Sequence, residues 1–210
     1  MNEISEITDL DVGLNLLRKD EKMSILVGKY RKPGFEIGKD YFHSLLRSIV
    51  YQQLSGKSAK AIFDRFIKLV SKKSLIKPKA VLKISDQDMR KAGLSFQKID
   101  YIKNLAQYFT RNSFQEKDVK KMTNEEISLE LTKIKGVGQW TVDMFLIFTL
   151  NRSDVMPYGD LAIQKGFKKF FNLDHLPSKK EMEEFSENWR PFRTLACWYL
   201  WETVDDEFDW

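Results

Sequence analysis

One cysteine, two histidines and five prolines in 210 residues exclude several classes of protein. Cys197 has no partner for an internal disulfide and cannot found a cysteine-based zinc or iron–sulfur centre; a buried, reduced thiol is the expectation. His43 and His175 are far apart, with no ligand spacing around either, which argues against a metal-dependent enzyme. No apolar run reaches the roughly 18 residues a membrane span needs, so no membrane partner is expected. The N-terminus, MNEISEITDLDVG, is acidic and has no apolar h-region, so no secretory signal is expected. No internal repeat of fixed period occurs. Alternating strand patterns are scarce, a short stub at residues 24–27 being the one candidate.

Hydrophobic residues make up 42% and aromatics 13%, enough for the core of one compact domain or of two small subdomains. Net charge is only +5, but it is unevenly spread. Residues 56–121 carry 17 Lys/Arg against 6 Asp/Glu, whereas the last ten, WETVDDEFDW, hold five acids and no base. A basic middle and an acidic tail suit a face turned toward a polyanion; a solvated lysine-rich surface is the alternative. Apolar residues recur at helical spacing almost throughout: Phe42, Leu45, Leu46, Ile49 and Val50; then Ile99, Ile102, Leu105 and Ala106; then Val142, Phe145, Leu146 and Thr149. Arg65 interrupts another such face. Ser85 with Asp88, Thr123 with Glu126 and Ser178 with Glu181 read as helix starts, Gly93 and Gly136 as stops. The predicted fold is all-α, with about ten helices.

The most specific pattern is Leu-Thr-Lys-Ile-Lys-Gly-Val-Gly-Gln-Trp-Thr-Val at residues 131–142. One helix is predicted to end at Lys135 and another to begin near Gln139. The glycines between them permit positive φ and close approach of a ligand to backbone. Free N–H groups at the second helix's start, with its positive dipole end, make a phosphate site. Such a contact anchors a nucleic-acid backbone without reading sequence.

Residues 134–141, Ile-Lys-Gly-Val-Gly-Gln-Trp-Thr, resemble the helix-hairpin-helix motif of the DNA glycosylase superfamily that also carries a Gly/Pro-rich loop and an aspartate. The resemblance implies DNA contacts from Lys135, Gly136, Val137, Gly138, Gln139 and Thr141. It also implies a monovalent cation, Na+ or K+, held by the carbonyls of Thr132, Ile134 and Val137, with no cofactor for catalysis. Twenty residues beyond Trp140 stands Asp160, in Met-Pro-Tyr-Gly-Asp-Leu at 156–161. Its bland role is a helix N-cap. In the superfamily the aspartate in this place is catalytic, and the two roles are compatible, because helix-start N–H groups stabilise negative charge. Breaking an N-glycosidic bond gives the sugar oxocarbenium character, which a carboxylate stabilises. At about 4 Å and an effective dielectric near 20 the attraction is roughly 4 kcal/mol, about a thousandfold in rate.

Relatives that also cut the strand carry a lysine where this chain has Trp140. An indole cannot form the Schiff base, so the reaction is expected to stop at the abasic site. A flipped base needs aromatic faces to receive it, and Trp140, Tyr158 and Trp201 are the candidates. Residues 189–201 resemble the C-terminal helix of the 3-methyladenine DNA glycosylase II family in its compact, yeast-like form. In the family's bacterial member tryptophans in register with Trp140 and Trp201 line the pocket, and a cationic N-alkylpurine would stack on them. A pocket tyrosine of that bacterial member falls at Met144 here, a departure that bears on lesion choice. Residues 47–59 resemble the family's turn that fills the gap left by the flipped base. Register favours Gln53 as the inserted residue and side-chain chemistry favours Leu54. Gln52 matches a family glutamine, and Lys57 and Ser58 are placed to meet phosphate.

The resemblance covers residues 41–201. It implies two helical subdomains flanking a cleft: residues 1–54 begin the first, 55–155 form the second with the hairpin at 131–150, and 156–210 complete the first. The function it implies is a monofunctional glycosylase removing alkylated purines, of the 3-methyladenine or 7-methylguanine kind, from double-stranded DNA. A monomer acting on DNA inside the cell, in cytoplasm, nucleoid or nucleus, is expected. Uracil, hypoxanthine or an oxidised purine is an alternative lesion. A non-catalytic helix-hairpin-helix DNA-binding module is the alternative from another class.

Overall fold

Apolar residues at three- and four-residue spacing fold here as that spacing dictates. A computed structural model describes residues 7, 10–35, 38, 40–70, 76–112, 114 and 119–204; most of the acidic tail, beyond 204, lies outside them. In chain order come α1 (Leu10–Leu17), α2 (Glu21–Lys29), α3 (Tyr41–Tyr51), α4 (Gly56–Val70), α5 (Pro78–Val81), α6 (Asp86–Lys91) and α7 (Phe96–Arg111). After these come α8 (Asn124–Leu131), α9 (Gln139–Phe148), α10 (Leu161–Phe171), α11 (Lys179–Ser186), a 3-10 turn (Glu187–Trp189) and α12 (Arg193–Glu202). Among the described residues there is no β-strand. The stub expected at 24–27 lies inside α2: Asp20 caps that helix by accepting from the Met23 N–H, and Met23 and Val27 are buried one turn apart.

Two compact units emerge. One comprises Met1–Ile37 and Leu146–Trp210, the other Gly38–Phe145. The break near residue 54 is absent, because α3 packs on α4 and α7 and so joins the unit containing the hairpin; the second break falls within α9 rather than at 155.

In the unit of Gly38–Phe145, Phe42, Leu45, Leu46, Ile49 and Val50 of α3 are all buried, as are Ile99, Ile102, Leu105 and Ala106 of α7. Arg65, the interruption in the α4 pattern, donates to the Ala92 carbonyl at 2.9 Å. The Ser85 cap forms, and Thr123 and Ser178 each complete a reciprocal capping box with the glutamate three residues on. In the other unit α12 is buried along its whole length. Its start is held by the 152–155 segment: the Thr194 N–H donates to the Ser153 carbonyl, and the Thr194 hydroxyl donates to that of Arg152. Gly166 of α10 abuts Leu200, where an added Cβ would lie 3.0 Å from both the Leu200 Cβ and its carbonyl oxygen. A side chain there would push α10 away from α12.

Candidate active site

The hairpin begins earlier than its sequence pattern suggests. α8 ends at Leu131 rather than Lys135, because the chain tightens into successive three-residue turns. The Ile134 N–H bonds to the Leu131 carbonyl and the Val137 N–H to that of Ile134. Gly136 has φ +99°, and an added Cβ would lie 2.1 Å from the Tyr101 ring. Gly138 has no positive φ and has open space around it. The first glycine is therefore required by conformation and packing, whereas neither requires the second. Gln139 opens α9, accepts from the Ser128 hydroxyl at 2.6 Å and donates to Asp143 at 2.8 Å, tying the two hairpin helices together. Lys135 is exposed and pairs with Asp100 at 2.7 Å, which raises its pKa.

A cleft of about 440 Å³ lies against the hairpin; Thr132, Ile134, Gly136, Val137 and Gly138 line it together with Gln52, Gln53 and Lys98. Gln52 ends α3 and turns inward: its Nε2 donates to the Gly136 carbonyl at 3.0 Å and to the Thr141 hydroxyl at 2.9 Å. Thr141 is buried, so its hydroxyl serves the hairpin. Gln53 is exposed in the left-handed region, φ +57°, and Leu54 is 40% exposed, so both wedge candidates face solvent. Lys57 and Ser58 sit exposed in the first turn of α4. Trp140 is partly exposed, whereas Met144 is buried. Thr132, Ile134 and Val137 all border this cleft, and backbone carbonyl oxygens are the donor type that a hard monovalent cation takes.

In the other unit, Asp160 caps α10, its Oδ1 accepting from the Ile163 N–H at 2.8 Å. The same oxygen accepts from the Trp201 indole Nε1 at 3.1 Å. Trp201 is buried and packs beside Phe148 at 5.5 Å between centroids. Tyr158, half-buried, receives a hydrogen bond from Arg193 at 3.2 Å and lies under Lys179, 5.2 Å from the ring; burial raises its phenol pKa. Arg193 also grips Asp154 through two nitrogens, at 2.5 and 3.2 Å, and Arg190 adds a third contact at 2.7 Å. This ion-pair cluster secures the 154–160 loop that carries Tyr158 and Asp160. The cluster, the Trp201 bond and Lys98 went unforeseen. Residues 36 to 48 positions apart meet in them, and no local spacing announces such meetings.

A helix–hairpin–helix followed by an aspartate capping the next helix defines a class of DNA-repair scaffold. The family described as HhH-GPD superfamily base excision DNA repair protein matches residues 46–191, and this chain belongs to it. Among individual proteins, DNA-3-methyladenine glycosylase 1 of Schizosaccharomyces pombe is 37% identical over 202 residues, covering 95% of this chain and 89% of the relative. The structure of S. pombe 3-methyladenine DNA glycosylase in complex with abasic DNA superposes with TM-score 0.85 at 35% identity, covering 95% of this chain and 100% of that one. A DNA-3-methyladenine glycosidase from Bacillus halodurans gives 0.75 at 32% identity, covering 95% and 91%.

Proposed function

We propose that this chain is a monofunctional DNA glycosylase that hydrolyses the N-glycosidic bond of flipped alkylated purines of the 3-methyladenine or 7-methylguanine type. The observation that carries this reading is Asp160, a helix-capping carboxylate bonded by the Ile163 amide and the Trp201 indole, in a chain of this superfamily. In the reaction the C1′–N bond breaks, and its electron pair leaves with the base, discharging the positive charge that alkylation put there. Water then supplies the new C1′–O bond, and its proton passes to the Asp160 carboxylate. The carboxylate also opposes the positive charge that develops on the sugar. Tyr158, on the same 154–160 loop as Asp160, offers a π-face to the base. The names of the S. pombe and B. halodurans relatives support the alkylated-base substrate.

Backbone N–H groups at Gly138 and Gln139 would hold a phosphate of double-stranded DNA, with Lys135, Lys57 and Ser58 adding contacts. Carbonyls of Thr132, Ile134 and Val137 would hold Na+ or K+, which supplies positive charge toward that phosphate. Gln53 or Leu54 would fill the gap that flipping leaves. The protein acts as a monomer on DNA inside the cell.

The test is single-turnover excision from duplexes containing 7-methylguanine or 3-methyladenine, with chelator present and Asp160→Asn alongside. Release of free base without strand cleavage is expected from the wild type only. No release from any lesion in a panel including uracil, hypoxanthine and 8-oxoguanine would leave a DNA-binding module. Efficient borohydride trapping of a covalent adduct would overturn the monofunctional assignment.

A further inference from the structure

Lys98 sits where the physics of its own helix disfavours it. It occupies the first turn of α7, at the positive end of the helix dipole, and is half-buried. Burial pushes its ammonium pKa down. Among the described residues no carboxylate forms an ion pair with it. What it does have is two backbone carbonyls at the end of α3: Nζ donates to Val50 at 2.6 Å and to Gln52 at 2.8 Å. Carbonyls of a last helical turn have no partner within the helix, and a cation there is favourable, so the contact is productive for α3 rather than for α7.

Beyond those carbonyls lies the exposed turn. Gln53 is a non-glycine residue at φ +57°, a conformation that persists only when its surroundings hold it, and Leu54 comes next, its N–H bonded back to the Tyr51 carbonyl. The residue that leads into the turn, Gln52, is itself bonded through its side chain to the Gly136 carbonyl of the hairpin. Two side chains therefore fasten one short segment in two directions, Lys98 to α7 and Gln52 to the hairpin.

We infer that Lys98 is a positioning residue that presets the 53–54 turn for insertion into DNA at the site of a flipped base, with the hairpin as its fixed reference point. The inference rests on the reading of that turn as the inserting element. Lys98 itself need not touch DNA. Its removal should leave phosphate anchoring intact and damage the step in which the turn fills the gap.

The experiment compares Lys98→Met with wild type for affinity toward undamaged duplex DNA, affinity toward the same duplex containing an abasic-site analogue, and single-turnover excision. A 2-aminopurine beside the lesion reports unstacking. The expected result is unchanged affinity and salt dependence on undamaged DNA. Abasic affinity and excision should each fall about tenfold or more, as misplacement of a preset group predicts. Lys98→Arg, which keeps the charge and the donors, should restore most of both. Equal loss on both DNAs would make Lys98 a direct phosphate contact and overturn the inference, as would no loss on either. If Lys98→Met does not fold, Lys98→Gln, which keeps a donor for one carbonyl, is measured in the same way, and the same outcomes decide. Excision by the wild type is a separate readout: its absence would sink the proposed function, whereas the ratio of abasic to undamaged affinity tests Lys98 alone.

Discussion

Asp160 receives both the Ile163 amide and the Trp201 indole on one oxygen, so its orientation is set by its own helix and by α12 together. Replacing the carboxylate by an amide of the same shape, Asp160→Asn, should lower single-turnover base release about a thousandfold while duplex affinity stays unchanged. Trp201→Phe keeps an aromatic ring and removes the N–H donor. A hydrogen bond to a charged group contributes about 1.5–3 kcal/mol, so excision should fall roughly ten- to a hundredfold if orientation of Asp160 matters to the reaction. A Trp201→Phe rate equal to wild type would reduce that indole to packing. Trp201 was recognisable from sequence as an aromatic in the register of a pocket residue. Its bond to Asp160 was not, because 41 residues separate them and the approach depends on Gly166 lying against Leu200.

At the scale of the element, the two hairpin glycines separate cleanly. Gly136→Ala forces a side chain onto the Tyr101 ring and into a left-handed conformation, and should lower the melting temperature through a loss of about 1–2 kcal/mol or more. Gly138→Ala meets nothing, so the fold should melt as wild type does, while affinity for duplex DNA drops as the methyl crowds an approaching phosphate. Calorimetry beside a binding isotherm for both variants checks the contrast. At the start of α11, the exposed His175 bonds to Asp174 at 2.6 Å and to Glu181 at 2.9 Å. The Asp174 bond is the larger influence, and together they raise the imidazole pKa, while the Ser178 backbone, hydroxyl and His175 hold Glu181 down at about 2. A raised pKa means that the stabilisation is fully present below the unfolded value near 6.5 and is lost as pH rises through the folded one. The melting-temperature advantage of wild type over His175→Gln should therefore be largest near about pH 5.5 and vanish on the alkaline side. An advantage that does not change with pH would rule out this account.

For the molecule as a whole, the excess of 17 basic over 6 acidic residues at 56–121 falls in the unit that holds the hairpin. Binding to undamaged duplex should weaken steeply with salt, with a slope of about −0.9 per phosphate neutralised on a log–log plot. A flat salt dependence would mean that these lysines are solvated surface only. Among the described residues no helix is long and apolar enough to cross a membrane. The discontinuous unit, built from both ends of the chain, differs from the expected division mainly in where α3 belongs. That helix carries Gln52 at its end, and its buried face meets α4 and α7.

The all-α class, the helix starts at Ser85, Thr123 and Ser178 and the hairpin around Gly136 were decided by residues three or four apart, and such information survives in a linear string. The position of Asp160 as a helix cap was legible for the same reason. The inward turn of Gln52, the grip of Lys98 on α3, the ion pairs around Asp154 and the indole bond to Asp160 were decided only in three dimensions. Each joins groups tens of residues apart through a single polar contact. Such a contact depends on how closely two helices pack, and no periodicity in the chain encodes that distance.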